Sequence, residues 1–155
     1  MAASTLTDPD AVTAPTAAEV RRAGDHHVRV RFHELDPNGH VNHGVYANYF
    51  ETARIELLER LGFGPAVLAA RGVHLVVVEL RIRFRRPALA GDDLRIETTI
   101  AQVGRASSWW HQSLRRDDQV LAEAEVRSGA TDGRGRPCRA PDDLLAVLRD
   151  LEVAP

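Results

Sequence analysis

The 155-residue sequence predicts an α+β fold in which a five-stranded antiparallel sheet wraps one long helix. Three observations carry that prediction. Tyr46, Tyr49, Phe50, Ala53, Leu57 and Leu61 recur at three- and four-residue steps, a wide apolar stripe on one helix, while Arg54, Glu56, Glu59 and Arg60 lie mostly off it. Strand-length stretches elsewhere alternate apolar and polar residues with period two, the sign of half-buried strands. The last three of them are joined by short turns, which makes them an antiparallel meander.

In chain order, residues 1–25 are rich in Ala and Thr and lack a strand pattern. They are expected to form a disordered tail ahead of one domain spanning residues 26–155. The first strand begins near His27, with Val28, Val30 and Phe32 set against Arg29, Arg31 and His33. A polar loop, Asp36 to His43, feeds directly into the helix, which stops at Gly62, a residue suited to the left-handed position after a helix. A short helical turn is expected from Pro65, before a break at Gly72. Val73 to Arg85 is a long β-branched strand in which Leu80, Ile82 and Phe84 alternate with Arg81, Arg83 and Arg85. Pro87 to Asp93 interrupts it. The meander follows as Leu94–Val103, Ser107–Arg115 and Val120–Ala130, divided by Gly104-Arg105 and Asp117-Asp118. Trp109 and Trp110 point to opposite sheet faces, so one belongs to the core. A polar loop leads to a C-terminal helix over Pro141–Leu151, with Pro141 at or near its first position.

Composition narrows the function classes. Twenty basic residues against twenty-two acidic ones, with no sustained run of either sign, argue against a nucleic-acid binder held by phosphate contacts. The single cysteine, Cys138, rules out an intrachain disulfide and a multi-cysteine zinc site, and the seven histidines show no helical metal-ligand spacing. No apolar stretch approaches the ~20 residues of a membrane span, and no secretion signal opens the chain, so a cytoplasmic protein is expected.

Chemistry concentrates between Asp36 and His43, where an acid, two imidazoles and an amide side chain stand at the positive end of a helix. Free backbone N–H groups there can stabilise an oxyanion, and a carboxylate beside them can act on a carbonyl. Asp36 has a structural reading as well, as the cap of an Asp-Pro-Asn-Gly turn. Asn42 is either the helix N-cap or an orienting group for Asp36 or a water. His40 either orients Asp36 or bonds within the loop.

These residues carry a resemblance. Asp36 to Tyr46, D-x-x-G-H-V-N-H-x-x-Y, continues into Tyr49-Phe50-Glu51-Thr52-Ala53-Arg54, similar to the Y-F-E-x-A-R helix of hotdog-fold acyl thioesterases of the 4-hydroxybenzoyl-CoA thioesterase type. Two weaker features follow in the right order: the long strand ending in Pro87 with Gly91-Asp92 beyond it, and Gly104-Arg105-Ala106-Ser107 between two strands. The likeness covers roughly residues 27 to 130. His40 and Asn42 bring the loop closer in style to plant acyl-carrier-protein thioesterases than to many simple bacterial members.

The resemblance implies a helix lying inside the sheet, edge-to-edge pairing of two subunits, active sites at the dimer interface and often a tetramer. It implies a thioester hydrolase acting without cofactor or metal on acyl-CoA or an acyl carrier protein. Asp36 matches the catalytic aspartate, as nucleophile or general base. His43 matches the position whose backbone N–H polarises the thioester carbonyl, with Gly44 leaving room for close approach and Tyr46 on the substrate side. Arg105 and Ser107 match a turn that contacts phosphates. Apart from the resemblance, Arg86, with Arg85, either adds charge near the same rim or is a solvated strand end. Glu51 is the rival carboxylate, because a related hotdog group uses a helix glutamate; otherwise it is expected to pair with Arg54. A non-catalytic acyl-thioester binder and a hotdog hydratase or dehydratase are the alternative functions.

Overall fold

A computed structural model describes residues 24–153, so the expectation for the N-terminal tail lies outside the described residues. Strand β1 (His26–Arg29) comes first, then a 3-10 turn (Phe32–Glu34) and the long helix α1 (His43–Arg60). Helix α2 (Pro65–Ala70) follows, then strands β2 (Val73–Phe84), β3 (Asp93–Val103), β4 (Ser107–Arg116) and β5 (Gln119–Asp132), and helix α3 (Asp142–Asp150). The strands form one antiparallel sheet in the order β1-β3-β4-β5-β2, curved around α1 as the sequence predicts for a hotdog fold.

Helix α1 and the inner sheet face supply much of the core. Tyr46, Tyr49, Phe50, Ala53, Leu57 and Leu58 are buried on the helix, with Leu94, Ile96, Ile100, Trp110, Leu114 and Val126 among the buried strand residues. Trp110 is the core tryptophan, while Trp109 is half-buried on the opposite face with the Arg127 guanidinium 5.9 Å from its ring centre. Gly62 takes φ +83°, the left-handed conformation that ends α1 without a side-chain clash.

Three details depart from the sequence pattern. β1 stops at Arg29 and Phe32 is 83 % exposed, rather than continuing the alternation. Val30 completes the pairing through Val30 N to Asp92 O, after which the Glu34 carboxylate accepts the Arg31 amide (2.7 Å) and turns the chain. Leu61 is only half-buried, because it caps the helix where the stripe runs out. Arg54 is the larger correction. It is buried rather than off the stripe, and its guanidinium reaches Gln112 (2.6 Å) instead of a Glu51 partner.

β2 is an open edge. Leu80, Ile82 and Phe84 lie in register with the buried Val126, Ala124 and Ala122 of β5, yet Leu80 and Phe84 are exposed, as are Val76, Val77 and Val78. Along this edge apolar residues reach solvent where every inner strand has a neighbour.

Candidate active site

The residues around Asp36 form a tight turn docked on the start of α1. Asp36 Oδ1 accepts the amides of Asn38 (2.8 Å) and His40 (3.2 Å), and the Asp36 amide donates to His40 O (2.7 Å). Gly39, at φ +78°, supplies the left-handed residue this turn requires. The turn reading of Asp36 is what the hydrogen bonds show. One carboxylate oxygen holds the turn, and Oδ2 has no hydrogen-bond partner among the described residues.

Helix α1 begins at His43 with Asn42 as N-cap. Asn42 Oδ1 accepts the Gly44 amide (2.9 Å) and its carbonyl accepts the Val45 amide. A Cβ on Gly44 would stand 3.3 Å from Asn42 Oδ1, so glycine allows the close cap. The His43 amide is left without a partner among the described residues, at the positive end of an 18-residue helix.

A cleft of about 290 Å³ brings together Asp36, His40, His43, Tyr46, Arg86 and Phe84, five of them predicted from sequence. Tyr46 is buried, packs edge-on against Phe84 and accepts the Ala88 amide on its hydroxyl (3.1 Å). The Ala88 carbonyl in turn accepts the Val41 amide (2.9 Å), so the segment after β2 is clamped to both loop and helix. Arg85 pairs with Glu123 (2.9 Å), whereas Arg86 has no ion-pair partner among the described residues. His40 holds Asp36 through its backbone, and its imidazole is exposed at the rim.

Glu51 lies two turns along α1 from His43, about 12 Å away at 1.5 Å per residue, and lines a different cavity. Arg105 and Ser107 sit in the β3–β4 turn, at the end of the sheet in register with Val76 rather than Phe84. Eight residues of strand, about 26 Å, separate those ends within one chain.

Two residues that hold the site escaped the sequence reading. Glu34 Oε2 accepts the Tyr49 hydroxyl (2.5 Å), and the Glu34 carbonyl accepts the Asn42 amide (2.8 Å). Burial, then the hydrogen bond and charge of Glu34, push the Tyr49 phenol far above its ordinary pKa, so it remains a donor. An acid two residues before Asp36 and a tyrosine within the apolar stripe were the available signals.

The sequence profile of the thioesterase-like superfamily matches residues 30–148. The chain belongs to that superfamily. It is 32% identical to the acyl-CoA thioesterase YbgC of Haemophilus influenzae over 81% of this chain and 93% of that protein. It is 30% identical to the chloroplastic acyl-acyl carrier protein thioesterase ATL3 of Arabidopsis thaliana, over 76% of this chain and 63% of that protein. Among solved structures, a thioesterase from Thermus thermophilus, complexed with coenzyme A and Zn, superposes with a TM-score of 0.73 at 30% identity, covering 84% of this chain and 95% of that one. A hypothetical protein from the same species, TT1821, gives a TM-score of 0.78 at 35% identity over 83% and 98% of the two chains.

Proposed function

We propose that this member of the superfamily hydrolyses acyl thioesters to free acid and thiol, with Asp36 as the reacting carboxylate and the His43 amide as oxyanion donor. One observation supports the assignment of residues: Asp36 and His43 line one cleft, and Asp36 Oδ2 and the His43 amide have no hydrogen-bond partner among the described residues. A thioester carbonyl is already electrophilic, so this pair supplies the main requirements. Asp36 attacks the carbonyl, giving a mixed anhydride and releasing thiolate, or removes a proton from an attacking water. In either route the tetrahedral oxygen gains charge, and the His43 N–H meets it. Asn42 fixes that amide by capping the helix, His40 fixes Asp36 through its backbone, and Arg86 offers a cation to the phosphate-bearing end of the substrate.

Acyl-CoA and acyl carrier protein are the two substrate classes, as the names of the relatives suggest. The apolar β2 edge supports a homodimer in which two β2 strands pair antiparallel, with two such dimers forming a tetramer. That pairing reverses the second copy, so its Arg105–Ser107 turn comes to the end of the sheet that carries this chain's Asp36, where it serves the substrate phosphates. Thiol release from a panel of acyl-CoAs and acyl carrier proteins tests the activity. Turnover on either class supports it; no turnover on any member of both classes refutes it.

A further inference from the structure

A second cavity lies under α1, between it, α2 and the first half of β2, with a volume of about 140 Å³. That is close to the ~150 Å³ of an engineered apolar cavity that takes a benzene ring, so it accommodates a ring or a short branched chain. Ile55, Leu58, Leu68, Leu75, Val77 and Trp110 give it apolar walls. Two charged side chains break them. Glu51 is exposed, whereas Arg54 is 7 % exposed.

Arg54 is held by a neutral scaffold. Its Nη1 donates to Gln112 Oε1, and the fully buried Gln112 spends its own N–H groups on Phe50 O (2.9 Å) and Thr98 Oγ1 (2.9 Å). Gln112 aims the guanidinium and contributes no negative charge. None of the ion pairs among the described residues includes Arg54, so a cation with five N–H donors has one of them engaged. Burial pushes its pKa down, and the field of Glu51 works in the opposite direction. Among the described residues Ser113 Oγ is the one buried side-chain polar atom without a partner, so the remaining Arg54 nitrogens are not sealed and keep access to solvent where Arg54 lines the cavity. This cavity therefore has the chemistry of a pocket for an acceptor oxygen at the end of a small apolar body.

Reach decides which cleft it serves. Within one chain, Val77 and Phe84 stand seven residues apart on β2, about 23 Å, too far for a ring-sized acyl group to span. Antiparallel pairing of two β2 edges brings the Val76–Val78 stretch of one copy opposite the Leu80–Phe84 stretch of the other. Pairing about the midpoint of β2 would set the cavity of one copy beside the Asp36 cleft of its partner.

Building on the thioesterase reading and the β2 pairing above, we propose that this cavity receives the far end of the acyl group bound in the partner copy's cleft, and that Arg54 selects acyl groups ending in a carboxylate. Thiol release from glutaryl-CoA is compared with that from its uncharged isostere, 5-methylhexanoyl-CoA. Wild type should favour the glutaryl ester in kcat/KM by about 10- to 100-fold, the scale of a charge-assisted hydrogen bond. Arg54→Met should bring the ratio near one while isostere turnover persists, and Arg54→Lys should fall between and serves if the Met variant does not fold. A wild-type ratio at or below one overturns the proposal even where other esters are hydrolysed. Calorimetric binding of free glutarate to wild type and Arg54→Met reads the site apart from catalysis. Binding lost with Arg54, in a protein that hydrolyses no ester, would preserve the site and sink the thioesterase reading; no binding to wild type removes the site. Mixed dimers of Asp36→Asn and Arg54→Met should recover about a quarter of wild-type glutaryl turnover, because half the dimers carry one intact composite site. No recovery contradicts the shared cavity.

Discussion

Breaking the Glu34–Tyr49 contact should both destabilise the protein and slow it, and the size of each effect follows from the geometry. The Tyr49 hydroxyl meets Glu34 Oε2 at 2.5 Å with Tyr49 buried, and the same oxygen holds the Arg31 amide at 2.7 Å. A charge-assisted hydrogen bond of this kind contributes about 1.5–3 kcal/mol. Tyr49→Phe removes only that bond and should cost about 2 kcal/mol in urea unfolding. Glu34→Ala removes it together with the Arg31 anchor and should cost about 3 kcal/mol. The double variant should cost little more than Glu34→Ala alone, giving a coupling energy of about 1.5 kcal/mol or more. Glu34→Ala keeps the backbone carbonyl that holds the Asn42 amide but frees the Arg31 turn and the Tyr49 hydroxyl, so it should let residue 34, and with it Asp36, shift relative to the helix start. A misplacement of about 1 Å can cost 100-fold, so kcat for thiol release should fall at least about tenfold with KM changed less. Additive single effects, with coupling below about 0.5 kcal/mol, would refute the clamp.

Other expectations follow from the same structure. Asn42→Ala should cost about 1 kcal/mol of stability by chemical denaturation, and Asn42→Asp should retain most of it, because either acceptor caps the Gly44 amide. If two β2 edges pair as proposed, Val78→Lys should leave a monomer by light scattering where wild type is a dimer or larger, with monomer stability changed by no more than about 0.5 kcal/mol. Two carboxylates should give opposite pH signatures in thermal unfolding. The hydrogen bond from Arg71 holds Asp143 below its ordinary pKa, so its stabilisation is present above that value and lost as pH falls through the lower folded one; Asp143→Asn should erase the difference. Burial raises Asp25 above the ordinary 3.8, so its contribution is fully present below that value and lost as pH rises through the higher folded one, and Asp25→Asn should remove this decline.

Much of the fold was legible because hydrophobic periodicity is local. The stripe from Tyr46 to Leu57, the strand alternation and the turns at Gly104 and Asp117 need no knowledge of distant partners. Arg54 departs from the helical pattern for the complementary reason: its place in the core depends on Gln112, 58 residues away on β4, which no helical pattern reveals. Phe32 follows the alternation in sequence, yet the side chain of Glu34 turns the chain before the pattern can continue. At the site, Asp36, His40, His43, Tyr46 and Arg86 converge because they flank one loop, one helix start and the end of β2. Arg105 and Ser107 do not join them within a chain.

The most direct test of the account is thiol release from short, long and aromatic acyl-CoAs, and from acyl carrier proteins, by wild type beside Asp36→Asn and Glu51→Gln. The geometry predicts that Asp36→Asn loses turnover on every good substrate while Glu51→Gln keeps it, since only Asp36 shares its cleft with the free His43 amide. Full turnover by Asp36→Asn, with loss in Glu51→Gln, would move the catalytic carboxylate to the helix and contradict the assignment.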